Sequence, residues 1–148
     1  MRLTLTPARE IAAVFGRHEQ SWQRLRPGHE APVLVAWGMS NRTALVRIPE
    51  VGEASDTRIE FRAGDFSGSA HVLCAVLLAA GLDGIEKKMK CPPSREENLD
   101  LLTKEQCKAL NVDSLPSSRD EAREILKTSA WLRESIGEHA IQFFLTHG

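Results

Sequence analysis

The sequence predicts an α+β fold, a short antiparallel sheet packed with helices, and three observations carry that expectation. Apolar or alternating runs lie at residues 33–37, 43–48 and 58–62, bounded by Pro, Gly and polar turn residues. A nearly continuous apolar stretch of helical length follows at residues 69–85. Beyond residue 117, a capping pattern and 3.6-residue periodicity return. With 148 residues, 42% apolar and 26% charged, the chain has the composition of a packed globular unit.

Residues 6–15 (TPAREIAAVF) offer the first helix. Thr6 caps it, Pro7 suits its first turn, Ile11, Val14 and Phe15 share a face, and Gly16 ends it. Residues 24–32 (RLRPGHEAP) place Pro27, Gly28 and Pro32 in a loop that leads into the buried strand 33–37. In 43–48, Ala44, Val46 and Ile48 face one way and Thr43, Leu45 and Arg47 the other, with Pro49 closing the strand at an edge. In 58–62, Ile59 and Phe61 oppose Arg58, Glu60 and Arg62. These two strands are expected side by side.

The run 69–85 is apolar nearly all round yet shorter than a membrane span, so it reads as the central buried helix, with His71 a satisfied core histidine. Lys87, Lys88 and Lys90 complement the negative end of its dipole, and Cys91-Pro92-Pro93 forces an irregular segment. Ser118 and Glu121 form a capping box that opens a helix to about Leu126, and Leu132, Ile136, Ala140, Phe143 and Phe144 carry a helical stripe to the end. Trp22, Trp37 and Trp131 read as packing anchors.

Composition excludes several functions. Nineteen Lys+Arg against 20 Asp+Glu leave a net charge of -1, so no bulk field favours nucleic acid or an anionic membrane. Cys74, Cys91 and Cys107 match neither a disulfide framework nor zinc spacing and read as free thiols of a reducing cytosol. No stretch approaches the ~20 apolar residues of a span, and no signal-peptide pattern opens the chain, so a cytoplasmic location is expected. GxSxG, GxxxxGK and GxGxxG are absent, which removes the usual hydrolase, phosphate-loop and dinucleotide signatures.

The chemistry concentrates on Arg58-x-Glu60-x-Arg62. Period-2 geometry sets two guanidinium groups and a carboxylate on one face at about 7 Å steps. Either the arginine forks grip carboxylate or phosphate oxygens while Glu60 ligates a metal, or the strand is a solvated face laced with weak ion pairs. Arg42 and Arg47 beside it favour a polyphosphate site. One carboxylate does not hold Mg²⁺ or Mn²⁺, so the metal site is incomplete as read. Glu30, in the Pro-Gly loop beside His29, is a candidate proton acceptor or lid residue, against the plain alternative of a solvated turn.

The ordered blocks suggest a family. Arg24-Leu25, residues 27–32 (PGHEAP), Ala36-Trp37, residues 41–44 (NRTA), Arg47-Ile48-Pro49, residues 57–62 (TRIEFR), residues 79–85 (AAGLDGI), Glu97-Asn98, Ser114-Leu115-Pro116 and Gly137-Glu138-His139 occur in one order at compatible spacings. Together they resemble the C-terminal part of the catalytic domain of bacterial and archaeal glutamine synthetases. The resemblance covers residues 21–144; residues 1–20 read as a loosely matching helical lead-in, and 21–148 as the synthetase-like part.

This resemblance implies an ATP-dependent ligase of nitrogen metabolism that forms γ-glutamyl phosphate from glutamate, which ammonia then attacks, with Mg²⁺ or Mn²⁺ bridging carboxylates and phosphates. By the same resemblance Arg24 holds glutamate, and Glu30 closes the site and takes a proton from ammonium. Arg42 and Arg58 neutralise ATP phosphates, Arg47 lies near them, Arg62 faces the glutamate γ-carboxyl or the transferring phosphate, and Glu60 is a metal ligand. The chain departs from the family at Ser40-Asn41-Arg42 and at Gly64-Asp65-Phe66, and Asn98-Leu99-Asp100 stands where some members carry an adenylylated tyrosine. Tyrosine is absent from the sequence, so that regulation does not act here.

Family members run to several hundred residues. The expectation is therefore a synthetase-like piece, inactive alone and completed by self-association or another synthetase subunit. The alternatives are a non-catalytic module that binds nucleotide or glutamate or docks on a full-length synthetase, and part of a γ-glutamyl-polyamine ligase.

Overall fold

The computed structural model describes residues 5, 7–29, 31–65 and 67–147. Helix α1 (Ala12–Phe15) is a single buried turn that stops at Gly16; its expected cap, Thr6, lies outside the described residues. Helix α2 (Glu19–Arg24) follows at once and buries Ser21 and Trp22. The Trp22 indole N–H donates to the Gly16 carbonyl at 2.9 Å, and its ring lies 6.5 Å from that of Phe15. That bond satisfies the polar handle of a buried tryptophan and fixes the angle between the two helices.

Strands β1 (Trp37–Met39), β2 (Val46–Ile48) and β3 (Glu60–Phe61) form one sheet in that order. The β2–β3 pair is antiparallel, with Val46 opposite Phe61 and Arg47 opposite Glu60. By contrast β1 and β2 run parallel, Trp37 beside Val46 and Met39 beside Ile48, so the sheet is mixed where an antiparallel one was expected. Parallel neighbours usually need a long crossover. Here residues 40–45 suffice, because Ser40 takes a φ of 52° and the Asn41 side chain accepts from Thr43 N–H (2.9 Å) and Oγ1–H (2.7 Å). The apolar run before β1 is not the buried strand expected: it bends at Val35, where Ala36 N–H donates to Leu34 O at 3.0 Å, and only Ala36 is fully buried. It pairs elsewhere, Val35 N–H donating to Asp113 O and Leu115 N–H to Val33 O, both at 2.7 Å.

Helix α3 (Ala70–Glu86) is capped by Ser69, whose hydroxyl accepts from Val72 N–H. Its boundaries match the apolar run, but its expected burial fails. Only Val76, Ala80 and Gly84 are fully buried, whereas Leu78, Leu82 and Ile85 are 64%, 52% and 67% exposed and His71 is exposed rather than a core residue. One stripe of α3 packs on α1 and on α6 (Ala130–Ile136); among the described residues nothing covers the opposite stripe.

The segment after Pro93 contains an unforeseen helix, α4 (Lys104–Ala109), with a complete capping box between Thr103 and Gln106. Helix α5 (Arg119–Thr128) begins at Ser118, whose hydroxyl accepts from Glu121 N–H at 3.2 Å. The returning arm of that box is shifted by one residue: the Glu121 carboxylate accepts from Ser117 N–H at 2.8 Å. The last apolar stripe is divided between α6 and α7 (Glu138–His147), because Gly137 adopts a φ of 84° that breaks the helix.

Most of these elements share one core. Ile11, Val14 and Phe15 of the lead-in meet Trp22, Leu45, Val46, Val76, Leu126, Leu132, Ile141 and Phe144. A smaller cluster of Ala36, Ala44 and Leu99, with Leu34, Leu102 and Val112 against it, lies between the sheet and the segment before α4.

Candidate functional site

The register of β2 and β3 brings the charged residues together. Because Arg47 stands opposite Glu60, its Nη1 donates to Glu60 Oε2 at 2.9 Å. Arg58, two residues earlier on the same face as Glu60, approaches the other carboxylate oxygen at 3.5 Å. Arg42, on the β1–β2 return, and Arg62, just past β3, join Arg47 and Glu60 around a cleft of about 320 Å³ that Thr43, Gly28 and Asp100 complete. Three guanidinium groups thus face two carboxylates. The buried Nε of Arg47 has no hydrogen-bond partner among the described residues. A larger hollow of about 460 Å³ lies against Leu34, Leu102, Cys107 and Val112; it also carries Arg9, Lys104, Lys108, Asp100 and Asp113, but its walls are more apolar and only one of its three cations is a guanidinium.

Other candidates lie outside this cleft. Arg58 is 56% exposed, spends itself on Glu60 and on the Asp56 carbonyl at 3.3 Å, and does not line the cavity. Arg24 donates to the carbonyls of Ala63 and Gly64, the latter at 3.2 Å, and so staples α2 to the exit of β3. Its charge also acts on Asp65. Burial pushes the Asp65 carboxyl up, but hydrogen bonds from Ser21 and Ser67, together with Arg24, outweigh it and hold the pKa below the ordinary aspartate value. Glu30 lies outside the described residues.

The sequence reading did not include Asp100, Thr43 or Asn41 in the site. The one available signal was local: Asn41-x-Thr43 and Asn98-x-Asp100 both have the spacing of side chains that bond the backbone two residues on. Among the described residues no three His, Cys, Asp or Glu side chains converge on a point that would suit a metal ion. Glu60, with both oxygens engaged by guanidinium groups, does not fit a self-contained Mg²⁺ or Mn²⁺ site.

An α+β chain with an arginine-lined cleft is the class of protein that fold and site define. The family profile for the glutamine synthetase catalytic domain matches residues 4–147. Glutamine synthetase of Thermotoga maritima is 43% identical over 142 residues, and that of Mycobacterium bovis 41% over 143, each alignment covering 95% of this chain and 32% of the relative. The Methanocaldococcus jannaschii enzyme is 37% identical over 141 residues. A solved structure described as a GmaS/ADP complex superposes with a TM-score of 0.79 at 26% identity, over 97% of this chain and 32% of the other. The chain belongs to the glutamine synthetase family, and its helices and three-stranded sheet are the C-terminal part of that catalytic domain. It spans about a third of the length of these relatives.

Proposed function

We propose that this chain supplies the phosphate-gripping wall of an ATP-dependent glutamate–ammonia ligase, and that it binds nucleotide phosphates but makes no glutamine until further polypeptide completes the site. The observation that carries this reading is the convergence of Arg42, Arg47 and Arg62 on one cleft. The match to a structure described as an ADP complex supports a nucleotide as the anion.

Phosphoryl transfer asks a protein chiefly for positioning and for positive charge where negative charge develops. Planar guanidinium forks do both, and fixed donors lose little entropy on binding. Arg42 and Arg47 hold the phosphate chain, while Arg62, at the end of β3, takes the transferring phosphoryl group or the glutamate γ-carboxyl. Arg58 acts through Glu60 by competing for its carboxylate. Arg24 sets the backbone at residues 63–64, which orients the glutamate end, and Glu30 accepts the proton released from ammonium. A metal would need carboxylates from other polypeptide beside Glu60, so no step is assigned to one here.

A second reading has support of its own: the uncovered stripe of Leu78, Leu82 and Ile85 on α3 suits a module that docks on another synthetase chain or on its own copy. Titration calorimetry of the 148-residue chain with ADP separates the two. Binding that weakens about tenfold in Arg47→Ala supports the phosphate wall. Absence of heat at millimolar ADP removes it and leaves docking.

A further inference from the structure

We propose that Asp100 is a positioning residue whose carboxylate fastens the turn leading into the Glu30 loop and ties it to the segment bearing Arg42. Its functional meaning rests on the reading of the cleft given above, but the fastening does not.

Residues 26–29 form a type II turn. Pro27 occupies the second position, Gly28 takes a φ of 80° in the third, and His29 N–H returns to the Arg26 carbonyl at 3.2 Å. In such a turn the N–H of the third residue takes no part in closing it. Gly28 N–H donates instead to Asp100 Oδ2 at 2.9 Å, across 72 residues of sequence. A carboxylate acceptor makes this stronger than a neutral turn bond.

Asp100 is itself held on three sides. It lies in the 3₁₀ turn Leu99–Leu101, where the Asn98 side chain accepts its N–H at 3.0 Å. Leu99 is 2% exposed in the smaller core cluster, and its N–H donates to Thr43 Oγ1 at 3.0 Å. Thr43 Oγ1–H donates onward to Asn41 Oδ1, and Asn41 Nδ2 donates to the carbonyls of Arg95 (2.8 Å) and Glu97 (2.9 Å). Arg42 sits between Asn41 and Thr43. A continuous bonded path therefore joins Gly28 to both neighbours of Arg42, and Gly28, Asp100, Thr43 and Arg42 all line the same cleft. Polar networks of this kind, fully satisfied, fix a single geometry. Without Asp100 the loop keeps its Pro-Gly turn but loses its anchor to the cleft.

Amide hydrogen exchange by NMR on the full chain, without nucleotide, tests this. In Asp100→Ala the Gly28 amide exchanges about tenfold faster or more, while the Val46 and Arg62 amides, bonded to Ala36 O and Leu45 O, keep their protection. Asp100→Asn retains an oxygen acceptor and restores most of the Gly28 protection. Thr43→Val, which releases Leu99 N–H, speeds Gly28 exchange by a smaller factor. Should Asp100→Ala lose the sheet protection as well, the Asn and Thr43→Val variants decide. Gly28 exchange within twofold of wild type in a folded Asp100→Ala chain, or failure of Asn to rescue, overturns the proposal. ADP binding is measured separately, so its absence would remove the phosphate-wall reading and leave the fastening standing.

Discussion

Arg47 and Glu60 face each other across the β2–β3 ladder and are joined at 2.9 Å, with 22% and 31% of their side chains exposed. Pairing across a ladder consumes the arginine that an incoming anion would need, so the carboxylate is a competitor as well as a partner. Glu60→Gln is expected to tighten metal-free ADP binding several-fold, because the carboxylate that offsets the charge of Arg47 and Arg58 is gone. The partly exposed pair contributes only about 0–1 kcal/mol, so thermal stability should change little. Calorimetry in EDTA checks this, and weaker binding by the glutamine variant would contradict it.

Gly38 in β1 makes the tight parallel return possible. A Cβ there would lie 2.1 Å from the Arg95 carbonyl oxygen and 2.8 Å from Asn41 Cβ. Backbone at that distance does not give way as a flexible side chain does. Gly38→Ala should cost about 1–3 kcal/mol or more and loosen the Asn41 network. Urea unfolding measures the loss; an unchanged midpoint would mean that residues 95–97 do not close on β1.

Leu126 is fully buried where α5 meets α1 and α7. Leu126→Ala is expected to destabilise the chain by about 2–5 kcal/mol through lost transfer energy and the cavity left behind. An effect below about 1 kcal/mol in equilibrium unfolding would show that this core is not packed as described.

On α3, Leu82 is 52% exposed, so Leu82→Glu should leave folding within about 0.5 kcal/mol of wild type. If a second copy covers this stripe, sedimentation of the wild-type chain will rise with concentration and that of Leu82→Glu will not. Identical sedimentation of the two chains would argue against self-association through α3.

Asp65 titrates below the ordinary aspartate value because its hydrogen bonds from Ser21 and Ser67, with Arg24, overcome the opposing effect of burial. A lowered folded-state pKa adds stability that is complete above the unfolded value and disappears as pH falls through the folded one. Stability should therefore drop on acidification below roughly pH 4, and Asp65→Asn should flatten that limb while lowering stability at neutral pH. Unfolding midpoints between pH 2 and 7 provide the check.

Much of the fold was legible because local chemistry repeats itself. Ser118 caps the helix it was expected to cap, and the alternation in residues 43–48 and 58–62 set Arg47 and Glu60 on facing strands. Helix α2 and helix α4 escaped notice: they are six residues each, too short for a periodic stripe, although Thr103 and Gln106 carried a readable capping box. His71 and the α3 stripe were misjudged because apolarity shows what a face would bury, not whether anything is present to bury it.

The sequence by itself determined the family, the α+β class and the arginine-rich strands, since these follow from residue type at fixed local spacing. Tertiary structure alone decided that β1 runs parallel to β2, that Arg24 turns to backbone carbonyls rather than the cleft, and that Asp100 reaches Gly28. Each is a contact between residues distant along the chain. Their geometry depends on how the core closes, which no local pattern encodes.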